Sequence, residues 1–287
     1  MRSGMAKQTA SPMLNVEEPK CTWVFLRGLM RESRHWGDFV EIFEEAFPYA
    51  RVIALDLPGN GSLHAERSPL DVAEMVEACR TDLLRRGLSP PYHVLAMSLG
   101  AMVALSWATA YPHELNGCVL INTSARPFCR FHQRLRPRNY PALLRLALPG
   151  TSAAGRERLV LALTSNQATE REHLLVDWMT YRRTAPVTRV NVLRQLVAAF
   201  RCRAPLRAPQ VPLLVLASLR DGLVAVECSR RLARQWATHY AEHPIAGHDL
   251  PLDDGRWVAQ HVAAWRGFLD LRGCEKSTAR AGSGIGR

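Results

Sequence analysis

Lysine is almost missing from this chain. Lys7, Lys20 and Lys276 are the only three among 37 basic residues. The bias toward arginine is chain-wide, so by itself it says little about ligands. Paired Cys-x-x-Cys motifs are missing as well. The seven cysteines (Cys21, Cys79, Cys118, Cys129, Cys202, Cys228 and Cys274) are odd in number and scattered. That argues against a disulfide framework or a cysteine-based zinc site and fits reduced thiols in a cytoplasmic protein. No apolar run approaches the roughly 20 residues of a membrane span. Met1 to Lys20 has no continuous apolar segment, so no secretory signal is expected. There is no internal repeat.

Acidic residues are scarce in one place. Between Ala125 and Pro205 there are fifteen Arg and four acids (Glu157, Glu170, Glu172 and Asp177). This segment therefore carries +11, the formal net charge of all 287 residues, and the remainder balances at zero. Three uses suit such a segment. It is a solvated surface, or a docking face for an acidic partner such as a phosphopantetheine-bearing carrier protein or a coenzyme A ester. Nucleic acid comes last, because no helix-turn-helix, RNA-recognition or zinc motif accompanies the charge.

What the chain does contain is a regular alternation. Cys21–Leu26, Arg51–Leu55, Tyr92–Met97, Gly117–Asn122 and Val211–Ser218 are short strand candidates, mostly apolar, and a further strand is expected near His239–Ile245. Helical patterns separate them: Ser33–Phe47, a helix opened by Ser68-Pro69 and closed at Gly87, Leu99–Tyr111, Cys228–Trp236 and Trp257–Leu271. Asp253 or Asp254 would cap the last. Strand–helix alternation predicts a mostly parallel α/β sheet with helices on both faces. The rhythm breaks over 125–205, which holds helical patterns only. Thr169-x-x-Glu172 reads there as a capping box, and Val190, Leu193, Val197 and Phe200 fall in helical register. The expected organisation is a flexible arm over 1–20, a core of 21–124 and 206–271, an inserted helical cap over 125–205, and a disordered tail over 272–287.

The chemistry centres on Ala96-Met97-Ser98-Leu99-Gly100. A buried strand turns there straight into an apolar helix, which demands small residues on either side of Ser98. The turn lifts the hydroxyl clear of the main chain at a helix N-terminus, where free N–H groups point outward. Alone, this is as well explained by a serine capping an internal helix. In a parallel sheet, however, ligands bind at the carboxyl ends of the strands. After the Val211–Ser218 strand comes Asp221-Gly222-Leu223-Val224, and after the next comes Gly247-His248. Ser98, Asp221 and His248 thus follow one another in loops at the same sheet edge. The roles are a nucleophile, an orienting acid and a general base. The N–H groups of Leu99 and of Leu29, in the Arg27-Gly28-Leu29 loop, would form the oxyanion hole. His64, His93 and His243 are rival bases. Asp249 and Asp253 are rival acids, but both lie too near His248 in sequence to orient it from behind.

On these residues, with Asp56-x-Pro58-Gly59-x-Gly61 added, the sequence resembles the α/β-hydrolase superfamily over about Cys21 to Leu271. Within it the chain looks most like small carboxylesterases similar to the pimeloyl-acyl-carrier-protein methyl ester esterase. Two departures stand out: Arg27 occupies the place of a common His, and Ala101 that of a common second Gly. The resemblance implies a serine hydrolase of esters or thioesters, with no cofactor and no metal, working on a small-molecule ester or thioester. Gly28 and Trp178 are the expected substrate contacts, and Leu143, Leu163 and Leu193 are further cap candidates facing the site. The alternatives are a catalytically silent binding scaffold, or C–C bond hydrolysis or perhydrolysis on the same triad.

Overall fold

Side chains alternate across a strand, so a strand buried on both faces needs apolar residues at every position. In β3 (Tyr92–Met97), β4 (Leu115–Ile121) and β5 (Leu213–Ser218) nearly every residue is buried. β1 (Cys21–Leu26), β2 (Ala50–Leu55) and β6 (His239–His243) complete the set. The computed structural model describes residues 21–147 and 150–282, with side chains described as far as 269. The expected N-terminal arm lies outside the described residues.

The six strands form one wholly parallel sheet in the order β2-β1-β3-β4-β5-β6. The α/β expectation with helices on both faces is met. Val24, Leu26, Val94 and Ala96 join one core with α2 (Val72–Arg85), α3 (Leu99–Ala110) and α9 (Glu227–Trp236). Trp23, Phe25, Leu95 and Met97 join the other with α1 (Phe39–Ala46) and α10 (Leu250–Gly282). Alternate residues of the same strands thus feed opposite cores. Helix α3 is apolar on almost every face because it is buried on almost every face.

Between β4 and β5 the described residues hold five α-helices and no strand: α4 (Phe131–Arg134), α5 (Tyr140–Ala147), α6 (Ala153–Thr164), α7 (Leu175–Thr184) and α8 (Arg189–Arg201). The chain leaves and rejoins the core at one place. There Arg126 and Arg203 form an isolated parallel bridge, and the Ala204 N–H donates to the Arg126 carbonyl at 2.6 Å.

Several local expectations differ from the structure for identifiable reasons. The Ser33–Phe47 pattern is a 3₁₀ turn (Ser33–Trp36) followed by α1, broken at Gly37 with φ of 51°. Ser68 caps nothing. It is fully buried, its hydroxyl donates to the Pro58 carbonyl, and α2 starts later with Asp71 accepting from Ala73 N–H. No capping box forms at Thr169, where the Glu172 N–H bonds the Thr169 backbone carbonyl instead. Asp254, not Asp253, caps the final helix by accepting from Trp257 N–H at 3.0 Å. That helix is described through Gly282, past the expected end at Leu271. No proline follows Pro251, and single glycines weaken a helix without ending it.

Candidate active site

Ser98 sits at the joint of β3 and α3 with φ of 52° and ψ of −115°. A non-glycine residue at positive φ is held there by its surroundings. The Ser98 N–H donates to the Ile121 carbonyl at 2.9 Å, and Thr123 Oγ1 donates to the Ser98 carbonyl at 3.3 Å. The small neighbours are explained by close backbone approach. A Cβ on Gly100 would stand 2.4 Å from the Leu26 carbonyl oxygen and 2.6 Å from that of Arg27. One on Gly28 would stand 3.2 Å from Ser98 Cβ. The loop after β1 therefore lies directly against the elbow.

Asp221 and His248 meet at the far ends of β5 and β6. His248 Nδ1 and Asp221 Oδ2 are 2.7 Å apart, and both residues are buried. Asp221 Oδ1 accepts from the N–H groups of Leu223 and Val224, at 2.7 and 3.0 Å. With both carboxylate oxygens engaged, Asp221 has one orientation, and so does the ring it holds. Burial opposes a charge on His248, but the adjacent Asp221 outweighs it, so the imidazole titrates above its ordinary 6.5. Ser98 and His248 line one cavity of about 680 Å³. Its walls are mostly apolar, including Met102, Leu143, Leu146, Val160 and Leu163 from α3, α5 and α6.

Among the described residues, the N–H groups of Leu29 and Leu99 have no acceptor within the protein. Leu99 is the first residue of α3, where an orphan N–H is inherent. The Leu29 loop is held by its neighbours. Met30, at φ of 59°, donates its N–H to Gln195 Oε1 at 3.1 Å. Gln195 Nε2 in turn donates to Asn60 Oδ1 and Ser68 Oγ. Helix α8, from the segment between β4 and β5, therefore fixes the loop that follows β1.

The rival groups are occupied elsewhere. His93 stacks on Trp23, bonds Arg266 at 2.6 Å, and is held down to about 4 by burial. His243 faces Asp254, and His64 bonds the Gly61 carbonyl. Asp249 forms a two-pronged pair with Arg27, at 3.1 and 2.5 Å. Asp253 accepts from Ser165 Oγ and from the N–H groups of Asn166 and Gly247.

Of the expected substrate contacts, Gly28, Leu143, Leu163 and Leu193 line the cavity. Trp178 does not. It is buried against Leu161 and Leu175, with the Arg31 guanidinium 4.2 Å over its ring, beside a smaller pocket. The cause is the packing of α7 on α6, which turns Trp178 toward Arg31 and Arg31 toward Glu157.

Three contributors escaped sequence reasoning. Asn122, at φ of 46°, donates to the carbonyls of Gly247 and His248 and to Ser218 Oγ, and accepts from Ser218 N–H. It braces the histidine loop from the end of β4. Gln195 braces the loop that holds Leu29. The Arg27–Asp249 pair ties the two loops together. The one signal available for Asn122 was its position immediately after an apolar strand. Gln195 and the pair had none, since their partners are 165 and 222 residues away in sequence.

An all-parallel sheet carrying an elbow serine, a late-strand Asp and a buried His defines a hydrolase architecture. A family model described as the alpha/beta hydrolase family matches residues 23–261, and the chain belongs to that family. Its fold is similar to that of a thermophilic esterase from Thermogutta terrifontis. The TM-score is 0.67 at 20% identity, over 86% of this chain and 90% of that one. It is equally similar to an enol-lactonase from Burkholderia xenovorans (TM-score 0.69, 18% identity, 85% and 90% covered). A probable lysophospholipase of Arabidopsis thaliana is 25% identical over 118 residues. That match spans 41% of this chain and 28% of the plant protein.

Proposed function

We propose that this protein is a serine ester hydrolase acting on esters with a sizeable apolar moiety. The observation that carries it is the 2.7 Å Asp221–His248 hydrogen bond at the end of a cavity that Ser98 also lines. Ser98 is the nucleophile, His248 takes its proton, and Asp221 fixes the imidazole tautomer and stabilises the imidazolium. The tetrahedral oxyanion is received by the N–H groups of Leu29 and Leu99. His248 then returns the proton to the leaving alkoxide, and water resolves the acyl-enzyme by the same route. A cavity of about 680 Å³ with aliphatic walls suits a medium to long acyl chain. The esterase, enol-lactonase and lysophospholipase among its likenesses support an ester-type substrate.

A fluorophosphonate probe is expected to label native protein at Ser98 and to leave heat-denatured protein unlabelled. Labelling at another residue, or none, would sink this assignment. Because the base must be neutral, kcat/KM on a neutral ester should rise with pH through a midpoint above 6.5. Removing the carboxylate in Asp221→Asn takes away the interaction that favours the imidazolium. The midpoint should then fall, while kcat drops by about 10⁴ through loss of the correct tautomer. A midpoint that stays put in Asp221→Asn would show that another acid holds the ring.

A further inference from the structure

Helix α8 is amphipathic in an inverted sense. Its buried face carries two polar side chains beside Ala198: Asn191 and Gln195 are 4% and 0% exposed and bond Ser68, Glu66, Asn60 and Met30 of the core. Its apolar stripe points outward. Val190, Leu193, Val197 and Phe200 are 57%, 58%, 38% and 51% exposed. Phe131, 57% exposed, meets the Phe200 ring edge-on at 5.9 Å and widens the stripe. A helix normally turns its apolar side to the core, because each apolar side chain left in water forgoes its burial free energy. Here five hydrogen bonds of Asn191 and Gln195 override that preference and turn the apolar stripe of α8 away from the core. Contiguous exposure of this kind marks a contact surface.

The position of the stripe is specific. Phe131, Leu193, Val197 and Phe200 also line the cavity that holds Ser98 and His248. They therefore form its outer rim. The segments that carry the rim are basic: 125–138 and 189–201 contain eight arginines and no acid. Arg130, Arg189 and Arg201 are exposed. Among the described residues none of the three is paired with an acid. The Arg126 guanidinium lies 5.0 Å over the Phe200 ring.

We propose that this rim docks on an anionic lipid surface, with the apolar face of α8 and Phe131 set into the acyl boundary and the arginines against the headgroups. The inference rests on the serine-hydrolase assignment only for its purpose, which is to admit a lipid ester from the bilayer. An apolar stripe flanked by arginines is the pattern of a helix lying in a membrane interface. Aliphatic and phenyl groups offer a folded acidic partner no hydrogen bonds to match, whereas a bilayer needs none. The stripe runs into the cavity, so an acyl chain reaches Ser98 along apolar side chains without crossing open water. No described helix is long and apolar enough to cross a membrane, so the contact is peripheral.

The test is co-sedimentation of the full chain with vesicles of phosphatidylcholine alone and of phosphatidylcholine mixed with phosphatidylglycerol, at low and high salt. Binding to the mixed vesicles at low salt, weakened by salt, is the expected result. Each arginine at an anionic surface strengthens partition by about fivefold. The triple variant Arg130→Gln/Arg189→Gln/Arg201→Gln should therefore lose roughly a hundredfold in partition. Its activity on a short soluble ester should not change. Val190→Ser, at an exposed position outside the cavity, should weaken binding with an unaltered melting temperature. Ser98→Ala should bind as wild type does, so loss of catalysis and loss of docking are read separately. No vesicle binding, or equal binding to both vesicle types, would overturn the proposal. So would an absence of vesicle binding joined to a triple-variant defect confined to acyl-coenzyme A or carrier-protein esters. That result would assign the arginines to an acidic soluble partner.

Discussion

Ser98→Ala is expected to hydrolyse a p-nitrophenyl ester about 10⁴–10⁶ times more slowly than wild type, with its fold and melting temperature unchanged. His248→Ala should come close to it, and the double variant should be little worse than either. The non-additivity is the informative part. If Ser98 and His248 are the nucleophile and base proposed above, they act as one device, and removing either removes the proton-coupled attack altogether. The proposed oxyanion donors at Leu29 and Leu99 survive in every one of these variants, because they are backbone N–H groups. Residual catalysis above the uncatalysed rate should therefore be the same in all three. Retention of more than about a tenth of wild-type kcat in Ser98→Ala would rule out this serine as nucleophile.

The second large effect is on stability. Arg27 and Asp249 are each 2% exposed and bonded through both prongs. Arg27→Met leaves a carboxylate buried without its partner, which typically costs about 3–5 kcal/mol. For a chain of this size the melting temperature should fall by roughly 10 °C. Replacing both, as Arg27→Met/Asp249→Leu, should recover most of the loss, since no charge is then stranded.

The pH dependence separates this from a packing defect. In wild type, burial works to raise the Asp249 carboxyl, but Arg27 outweighs it and holds the group below its ordinary 3.8. Its stabilising contribution is thus present above that value and lost as pH falls through the lower folded one. In Arg27→Met, only the smaller influences of Arg31 and His248 still oppose burial, and the folded value should rise above the unfolded one. The variant's deficit should then be full near neutrality and shrink as pH is lowered toward about 4. A deficit constant with pH would show that the lost contact was steric. Activity should fall along with stability, because the pair joins the loop before Gly28 to the loop holding His248.

Much of this molecule was legible from local patterns. Apolar runs of about six residues located the central strands β1, β3, β4 and β5, since a strand covered on both faces leaves little room for a polar side chain. The elbow at Ser98 was legible because backbone packed against backbone tolerates only small residues, and Gly100 meets the Leu26 and Arg27 carbonyls as that reasoning requires. Strand ends bring loops to one edge, so Asp221 and His248 could be placed together from order alone.

Where two explanations fit one residue type, sequence could not choose. Ser68 has the signature of a cap but serves as a buried bridge between Pro58 and Gln195. Trp178 is as apolar as any cavity residue, yet its ring covers Arg31. Asp253 and Asp254 are equivalent as caps until Ser165 and Gly247 claim the first.

By itself the sequence determined the parallel α/β layering, the helical segment between the fourth and fifth strands, its excess of arginine, and the order Ser, Asp, His at one edge. These depend on periodicity and on residues close together in the chain, where the backbone dictates the geometry. Only the tertiary structure decided which way α8 faces, what Arg27 and Asp249 do, and that Asn122 and Gln195 brace the two loops. Periodicity reports that a helix has two unlike sides but not which side meets the core. For α8 that choice fell to five hydrogen bonds between Asn191 and Gln195 and residues more than a hundred positions away.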